Sequence, residues 1–401
     1  MDIFTKFQPL HNAFEQLMSI SKHNPFGTTI EKMISPTIGV INGRQTLLFG
    51  TNNYLGLSQS DAARHAAAEA AMQYGVGTTG SRIANGTYSL HQELEQDLAK
   101  FFNRRSCMVF STGYQATLGM VSTLAGKDDY LFLDADCHAS IYDGSRMSQA
   151  QIIRFRHNDA DDLRKRLRRL GDIPGNKLIV VEGVYSMFGD IIPLKEFVEV
   201  KKEENACLMI DEAHSFGIFG EHGRGIAERD QVEADIDFTV GTFSKSLGTV
   251  GGYCVSDHPQ MDLLRLCTRP YMFTASLPPE VIAATKANLE IIKNHPELIH
   301  KLMDNASRFY HALQNAGFLT GPDISSVISV ILEDLPQASQ FWNRVLELGA
   351  YINLSLPPAT PDNRPLLRAS IAAAHTTEQI DQLVQIYIQA AQDVGVALKI
   401  Q

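Results

Sequence analysis

Six short apolar runs, Tyr130 to Leu133, Ile152 to Phe155, Leu178 to Val181, Cys207 to Ile210, Phe238 to Val240 and Tyr253 to Val255, constrain this chain more than any other feature. Each has the length of a buried strand, and most segments between them are long enough for a crossover helix. Successive strand–crossover–strand units build a mainly parallel sheet with helices on both faces, an α/β fold. After Pro278-Pro279 the pattern changes. Long helical stretches over about 280–316 precede apolar runs at Val327 to Leu332, Tyr351 to Leu354 and Leu366 to Ile371, with helices near 337–349 and from about 377. That tail reads as a smaller α+β domain. The expected division is an N-terminal arm over 1–45, a large α/β domain over 46–280 and the small domain over 281–401.

At 401 residues, 44% apolar and 20% charged, the chain has room for two cored domains. Its five cysteines are scattered without a CxxC pair, which argues for reduced thiols and a cytoplasmic setting. The start lacks a basic segment followed by an apolar one, and no window approaches 18 continuous apolar residues. A net charge of −10 leaves no basic surplus for nucleic acid. The local exception, Arg154-Phe155-Arg156 with Arg164 to Arg169, reads as a solvated helix face, the alternative being a surface for an anionic lipid or ligand. Phe4, Phe7, Leu10, Phe14 and Leu17 form one helical stripe. The stripe packs on its own protein or a partner subunit, or else meets a membrane or an acyl chain, a peripheral contact on the inner membrane face.

The chemistry-bearing residues sit at strand exits. In Gly241-Thr242-Phe243-Ser244-Lys245-Ser246-Leu247-Gly248, a lysine among hydroxyls and glycines suits a Schiff base with a phosphorylated aldehyde cofactor, or else is a solvated turn lysine. Asp211, at the end of Cys207 to Ile210, stands where open α/β sheets bind ligands and where a carboxylate would protonate a pyridine ring. Ser111-Thr112-Gly113-Tyr114 runs from a strand, Cys107 to Phe110, into a helix, which makes a phosphate seat or simply a cap. His138 follows another strand and could stack on a flat ring, or be a loop histidine satisfied by hydrogen bonds. Gly75 to Gly80 spells GxGxxG, but a helix precedes it where a dinucleotide fold needs a strand. Asp211-Glu212-Ala213-His214 spells a helicase motif without the phosphate loop that would support it. A metal site from Asp134, Asp136, His138, Asp211 and His214 leaves Lys245 unexplained, so no metal is expected. Arg368, inside an apolar strand-like run, needs a partner, either a substrate carboxylate or an internal acid.

With Gly50-Thr51-Asn52-Asn53-Tyr54-Leu55-Gly56-Leu57, Gly77-Thr78-Thr79-Gly80-Ser81-Arg82, Phe273-Thr274-Ala275-Ser276-Leu277-Pro278-Pro279 and Pro357-Pro358-Ala359-Thr360-Pro361, these stretches resemble the α-oxoamine synthases, pyridoxal 5'-phosphate (PLP) enzymes of fold type I. The resemblance covers nearly everything from Pro25 onward. It implies Lys245 as the Schiff-base lysine, His138 stacked on PLP, Asp211 on the pyridine nitrogen and His214 on the ring hydroxyl. It implies Gly113, Tyr114, Thr242 and Ser244 at the phosphate, joined by Thr274, Ala275 or Ser276 from the other subunit of a homodimer. Arg368 would take the substrate carboxylate, with Asn52, Tyr54 and Ser81 around the substrate. Through Phe243-Ser244-Lys245-Ser246 and the Pro-Pro-Ala-Thr-Pro loop the resemblance implies L-serine and a long-chain acyl-CoA as substrates, the nearest rival being an α-oxoamine synthase that uses glycine or alanine. A non-catalytic PLP-binding subunit is the rival of another class. One departure stands out: Leu356 occupies the place before Pro357 where related enzymes often carry arginine, and Arg364 is the nearby substitute.

Overall fold

The computed structural model describes residues 2–171 and 173–398. They fall into two compact units, one of Asn53–Ser186 with Ile191–His300, the other of described residues within Met1–Asn52, Met187–Asp190 and Lys301–Gln401. The second unit opens with β1 (Lys32–Ser35), β2 (Ile38–Ile41) and β3 (Arg44–Leu48). β2 and β3 form the hairpin that Asn42-Gly43 predicts. Both turn residues take positive φ, 52° and 72°, as a two-residue turn matched to strand twist requires.

The first unit is built on β4 (Ser106–Phe110), β5 (Tyr130–Asp134), β6 (Gln151–Phe155), β7 (Lys177–Glu182), β8 (Cys207–Asp211), β9 (Phe238–Thr242) and β10 (Gly252–Ser256). Among the described residues these seven strands make one sheet in the order β4-β10-β9-β8-β7-β5-β6. β9, β8, β7, β5 and β6 run parallel, while β10 is antiparallel to both β9 and β4. The reversal has a simple cause. Only residues 243–251 join β9 to β10, too few for a crossover, so the chain must turn straight back. The same short connection carries Lys245. Met108, Leu131, Val180, Met209, Val240 and Cys254 are fully buried on adjoining strands and pack with Met120 and Val121 of the helix Gly113–Leu124. Each such side chain contributes about 1.5–3 kcal/mol through burial, so the strand ends are held on a rigid frame.

The second unit closes with β11 (Val327–Ile331), β12 (Ala350–Tyr351), β13 (Asn353–Ser355) and β14 (Leu366–Ser370). β12 joins β3 in parallel, and β11, β14 and β13 form an antiparallel sheet. The run Tyr351 to Leu354, expected as one strand, is thus divided between two sheets. Ile352 is the pivot, its carbonyl accepting the Trp342 indole N–H at 2.8 Å. The helical stretch expected over 280–316 is likewise two helices, Pro279–Asn294 and Glu297–Asn315, broken at His295-Pro296 because proline has no N–H and disfavours helix before it.

The N-terminal stripe forms a short 3-10 turn, Thr5–Phe7, and the helix Gln8–Ile20. Leu17 is buried and Phe14 half-buried, whereas Phe4, Phe7 and Leu10 are exposed. With Leu354, Leu356 and Pro357 this helix borders an open apolar groove of about 860 Å³. Among the described residues no helix is long and apolar enough to cross a membrane. The basic helix Ala160–Leu170 meets acids on its neighbour: Arg164 pairs with Glu203 at 2.9 Å, and Arg168 with Glu204 at 3.0 Å. Those pairs support the solvated-face reading over an anion-binding one.

Candidate active site

The carboxyl ends of β7, β8 and β9 and the loop after β5 enclose a cavity of about 300 Å³. β5 is flanked by β6 on one side and β7 on the other, so the cavity opens where the strand order reverses, the usual ligand crevice of such sheets. Gly113, Tyr114, His138, Asp211, His214, Thr242, Ser244 and Lys245, all singled out from the sequence, line it together.

Asp211 closes β8 and is 6% exposed. Its Oδ1 accepts the Ala213 N–H at 2.9 Å and its Oδ2 the Thr117 hydroxyl at 3.0 Å. A carboxylate has about four acceptor positions, so an oriented side chain with capacity for a further N–H donor faces the cavity. His138 caps the helix Ala139–Ser148. Its Nδ1 accepts the Ser140 N–H at 3.2 Å and lies 2.8 Å from the Ser140 hydroxyl. That acceptor role puts the proton of the neutral ring on Nε2. Burial holds the imidazole below its ordinary value, and Lys245 acts in the same direction while Asp211 opposes. The ring is therefore a flat, uncharged plate near neutral pH. Tyr114 meets it edge-on, with 6.4 Å between centroids. His214 Nδ1 is 2.7 Å from the Tyr54 hydroxyl, which fixes the second imidazole.

At the other end, Thr112 caps the helix Gly113–Leu124 by accepting the Gln115 N–H at 3.1 Å. The first N–H groups of a helix have no partner within it, and they attract an anion. Thr242 Oγ1, 2.8 Å from Ser244 Oγ, also accepts the Ser244 N–H at 3.2 Å and donates to the Gly251 carbonyl at 3.1 Å. Gly113 must be glycine for this seat to form, since a Cβ there would lie 2.5 Å from Thr242 Cβ. Gly251 has φ +142°, and a Cβ on it would lie 2.3 Å from the Phe243 ring. One cavity thus offers an anion seat, an amine, an oriented carboxylate and a neutral aromatic plate. Those are the groups PLP requires, and the residues present fit it. Among the described residues no group of three or more His, Cys, Asp or Glu is placed to hold a metal ion.

Other residues singled out from the sequence lie outside this lining. Ser81 bridges Ala275, whose carbonyl accepts the Ser111 hydroxyl at 2.6 Å. Thr274 Oγ1 accepts Gln115 Nε2 at 3.3 Å, and Ser276 Oγ is 2.7 Å from Thr78 Oγ1. In the second unit, Arg368 is buried on β14, with Nη1 donating to Asn52 Oδ1 at 3.0 Å and Ser370 Oγ at 3.1 Å. Leu356 borders the apolar groove, and Arg364 donates to Asp362 at 3.3 Å. Thr117 and Glu182 are among the cavity residues that the sequence reading passed over. Glu182 ends an apolar run as Asp211 does, which by itself does not mark it as part of a site.

The family description "Aminotransferase class I and II" matches residues 44–386. A serine palmitoyltransferase of Caulobacter vibrioides is 54% identical over 396 residues, 99% of this chain and 98% of the relative. One from Sphingomonas paucimobilis is 47% identical over 397 residues, 98% of this chain and 94% of the relative. A solved SPT structure with a PLP internal aldimine superimposes with a TM-score of 0.97 at 46% identity, covering 99% of this chain and all of that one.

Proposed function

Because the chain belongs to the class I and II aminotransferase family, and within it to the α-oxoamine synthases of fold type I, we propose that it condenses L-serine with a long-chain acyl-CoA. The reaction releases CoA and CO2 and leaves a 3-ketosphinganine, the entry to sphingolipid synthesis. It is a PLP-dependent acyltransferase. The observation that carries the chemistry is the convergence of Lys245, Asp211 and His138 on one cavity; the choice of substrates rests on the likeness to the serine palmitoyltransferases.

PLP, when bound, supplies the electron sink that makes the serine Cα proton acidic. Asp211 keeps a proton on the ring nitrogen, its direction set by Ala213 and Thr117. His138 covers one face of the ring and excludes water from it. The Lys245 amine would hold the cofactor's aldehyde carbon and would take the serine Cα proton and return it. His214, fixed by Tyr54, holds the ring hydroxyl. Gly113, Tyr114, Thr242 and Ser244 hold the phosphate. Arg368 receives the serine carboxylate through its planar fork, and Asn52, Tyr54 and Ser81 surround the substrate. The chain acts as a homodimer in which the Thr274, Ala275 and Ser276 segment of each copy completes the other copy's phosphate seat, a reading that rests on the family resemblance. The exposed Phe4, Phe7 and Leu10 favour peripheral contact with the inner membrane face from the cytoplasm.

Purified protein is incubated with PLP, palmitoyl-CoA and serine, glycine or alanine in turn, and products are identified by mass spectrometry. A 3-ketosphinganine formed from serine is expected. Turnover with glycine or alanine but not serine overturns the substrate assignment.

A further inference from the structure

Glu182 is a fully enclosed carboxyl that the proposed reaction leaves without a task. It ends β7 directly opposite Asp211 on β8, is 4% exposed and lines the same cavity. Its Oε1 accepts the main-chain N–H of His138. That contact reaches across from β7 to the loop after β5 and fixes the residue whose ring forms one wall of the site. Glu182 and Asp211 are in register on adjoining strands, and like charges so placed oppose each other's ionisation. Asp211 already accepts two hydrogen bonds, from the Thr117 hydroxyl and the Ala213 N–H.

We propose that Glu182 is a positioning residue, a neutral carboxyl beside Asp211 that fixes the His138 main chain and, through it, the plane of the imidazole over the bound cofactor. The inference rests on the reading of this cavity as a PLP site. The groups facing Glu182 are Asp211 on β8, Lys245 from the β9–β10 connection, Asp134 at the end of β5, Cys137 and His138 just beyond it, and Tyr185 after β7. Burial pushes the Glu182 carboxyl well above the usual carboxylate range, and Asp211 and Asp134 push the same way against the opposing effect of the His138 N–H and Lys245. With its proton in place, Glu182 still has an oxygen to accept the His138 N–H.

The test uses apoprotein reconstituted with PLP, reading cofactor affinity, visible circular dichroism and the pH titration of the visible absorbance. Glu182→Gln keeps a neutral acceptor, so all three readouts are expected to match wild type within about twofold. Glu182→Ala removes the acceptor of the part-buried His138 N–H; about tenfold weaker cofactor binding and an altered visible dichroism are expected, with far-ultraviolet dichroism retained. If the alanine variant does not fold, Glu182→Asp, which withdraws the acceptor by one methylene, decides by the same readouts. A displaced pH titration in Glu182→Gln refutes the neutral carboxyl. Unchanged affinity and dichroism in Glu182→Ala, or in Glu182→Asp where that stands in, refute the positioning role. Wild-type protein that takes up no PLP refutes instead the reading on which both rest.

Discussion

Gly113→Ala sets two physical effects against each other. Helix propensity favours alanine over glycine by up to about 1 kcal/mol, which on its own would stabilise the start of the helix Gly113–Leu124. The local geometry opposes it. The added Cβ would lie 2.5 Å from Thr242 Cβ and 2.7 Å from Thr242 Oγ1, whereas carbon contacts settle near about 3.5–4.0 Å. The two groups must separate by about 1 Å to reach that range. Thr242 cannot yield by that much and keep its bonds to Ser244 Oγ, Ser244 N–H and the Gly251 carbonyl, which already span 2.8–3.2 Å. On the other side, Gly252 packs against Gly113, with Cα of Gly113 only 2.6 Å from where a Gly252 Cβ would stand. Overpacking of this kind costs about 1–3 kcal/mol, and a middle value of about 2 kcal/mol corresponds to about thirtyfold in affinity. The loss is expected in the dissociation constant for PLP, measured from visible absorbance on titrating apoprotein, with thermal unfolding of the apoprotein run alongside. Binding within twofold of wild type would show that the Gly113–Thr242 contact does not shape the anion seat.

Lys245→Ala is expected to abolish product formation while leaving the thermal unfolding of the apoprotein within a few degrees of wild type, as read by product analysis and differential scanning. Arg368→Lys, which keeps the charge but loses the fork, should raise the serine KM about tenfold or more with a smaller fall in kcat; a fall in kcat alone would argue against carboxylate recognition. His375 is buried between the Ala372 N–H and the Leu48 carbonyl, stacks on Phe49 at 3.9 Å, and burial lowers its pKa from 6.5 to about 4. Below pH 6.5 the unfolded chain takes up a proton that the folded one refuses, so this group's stabilising contribution is present above that value and falls by up to about 3 kcal/mol as pH drops toward 4. Glu212, raised by burial to about 7, works with the opposite sign between 4.5 and 7. The His375 contribution is therefore read as the difference in urea-unfolding pH slope between wild type and His375→Asn. Parallel slopes would rule it out.

The strands of the large sheet were legible because a strand covered on both faces is apolar along its whole length, as Leu178 to Val181 and Leu208 to Ile210 are. The site residues followed from the same runs, since Asp211, His138 and Lys245 all stand just past a strand end. Glu182 occupies an equivalent place, yet a glutamate after an apolar run looks the same whether water or protein covers it. Only the register opposite Asp211 tells them apart. The division of Tyr351 to Leu354 was hidden for a related reason. Its two halves pair with β3 and β14, and nothing local records which partner each half will find. The partners of Arg164 and Arg168, at Glu203 and Glu204, are similarly remote.

The parallel pairing of β12 with β3 has a consequence for biosynthesis. Residues as far apart as Leu47 and Ala350 must meet to complete that sheet, so β3 emerges from the ribosome long before its neighbour exists. Asn53 to His300, which supplies nearly all of the other unit, is finished first and is free to condense during translation. Until the last strands arrive, β3 offers an open edge to any other chain nearby. Slowing translation beyond residue 300 should therefore raise aggregation in cells more than slowing it earlier.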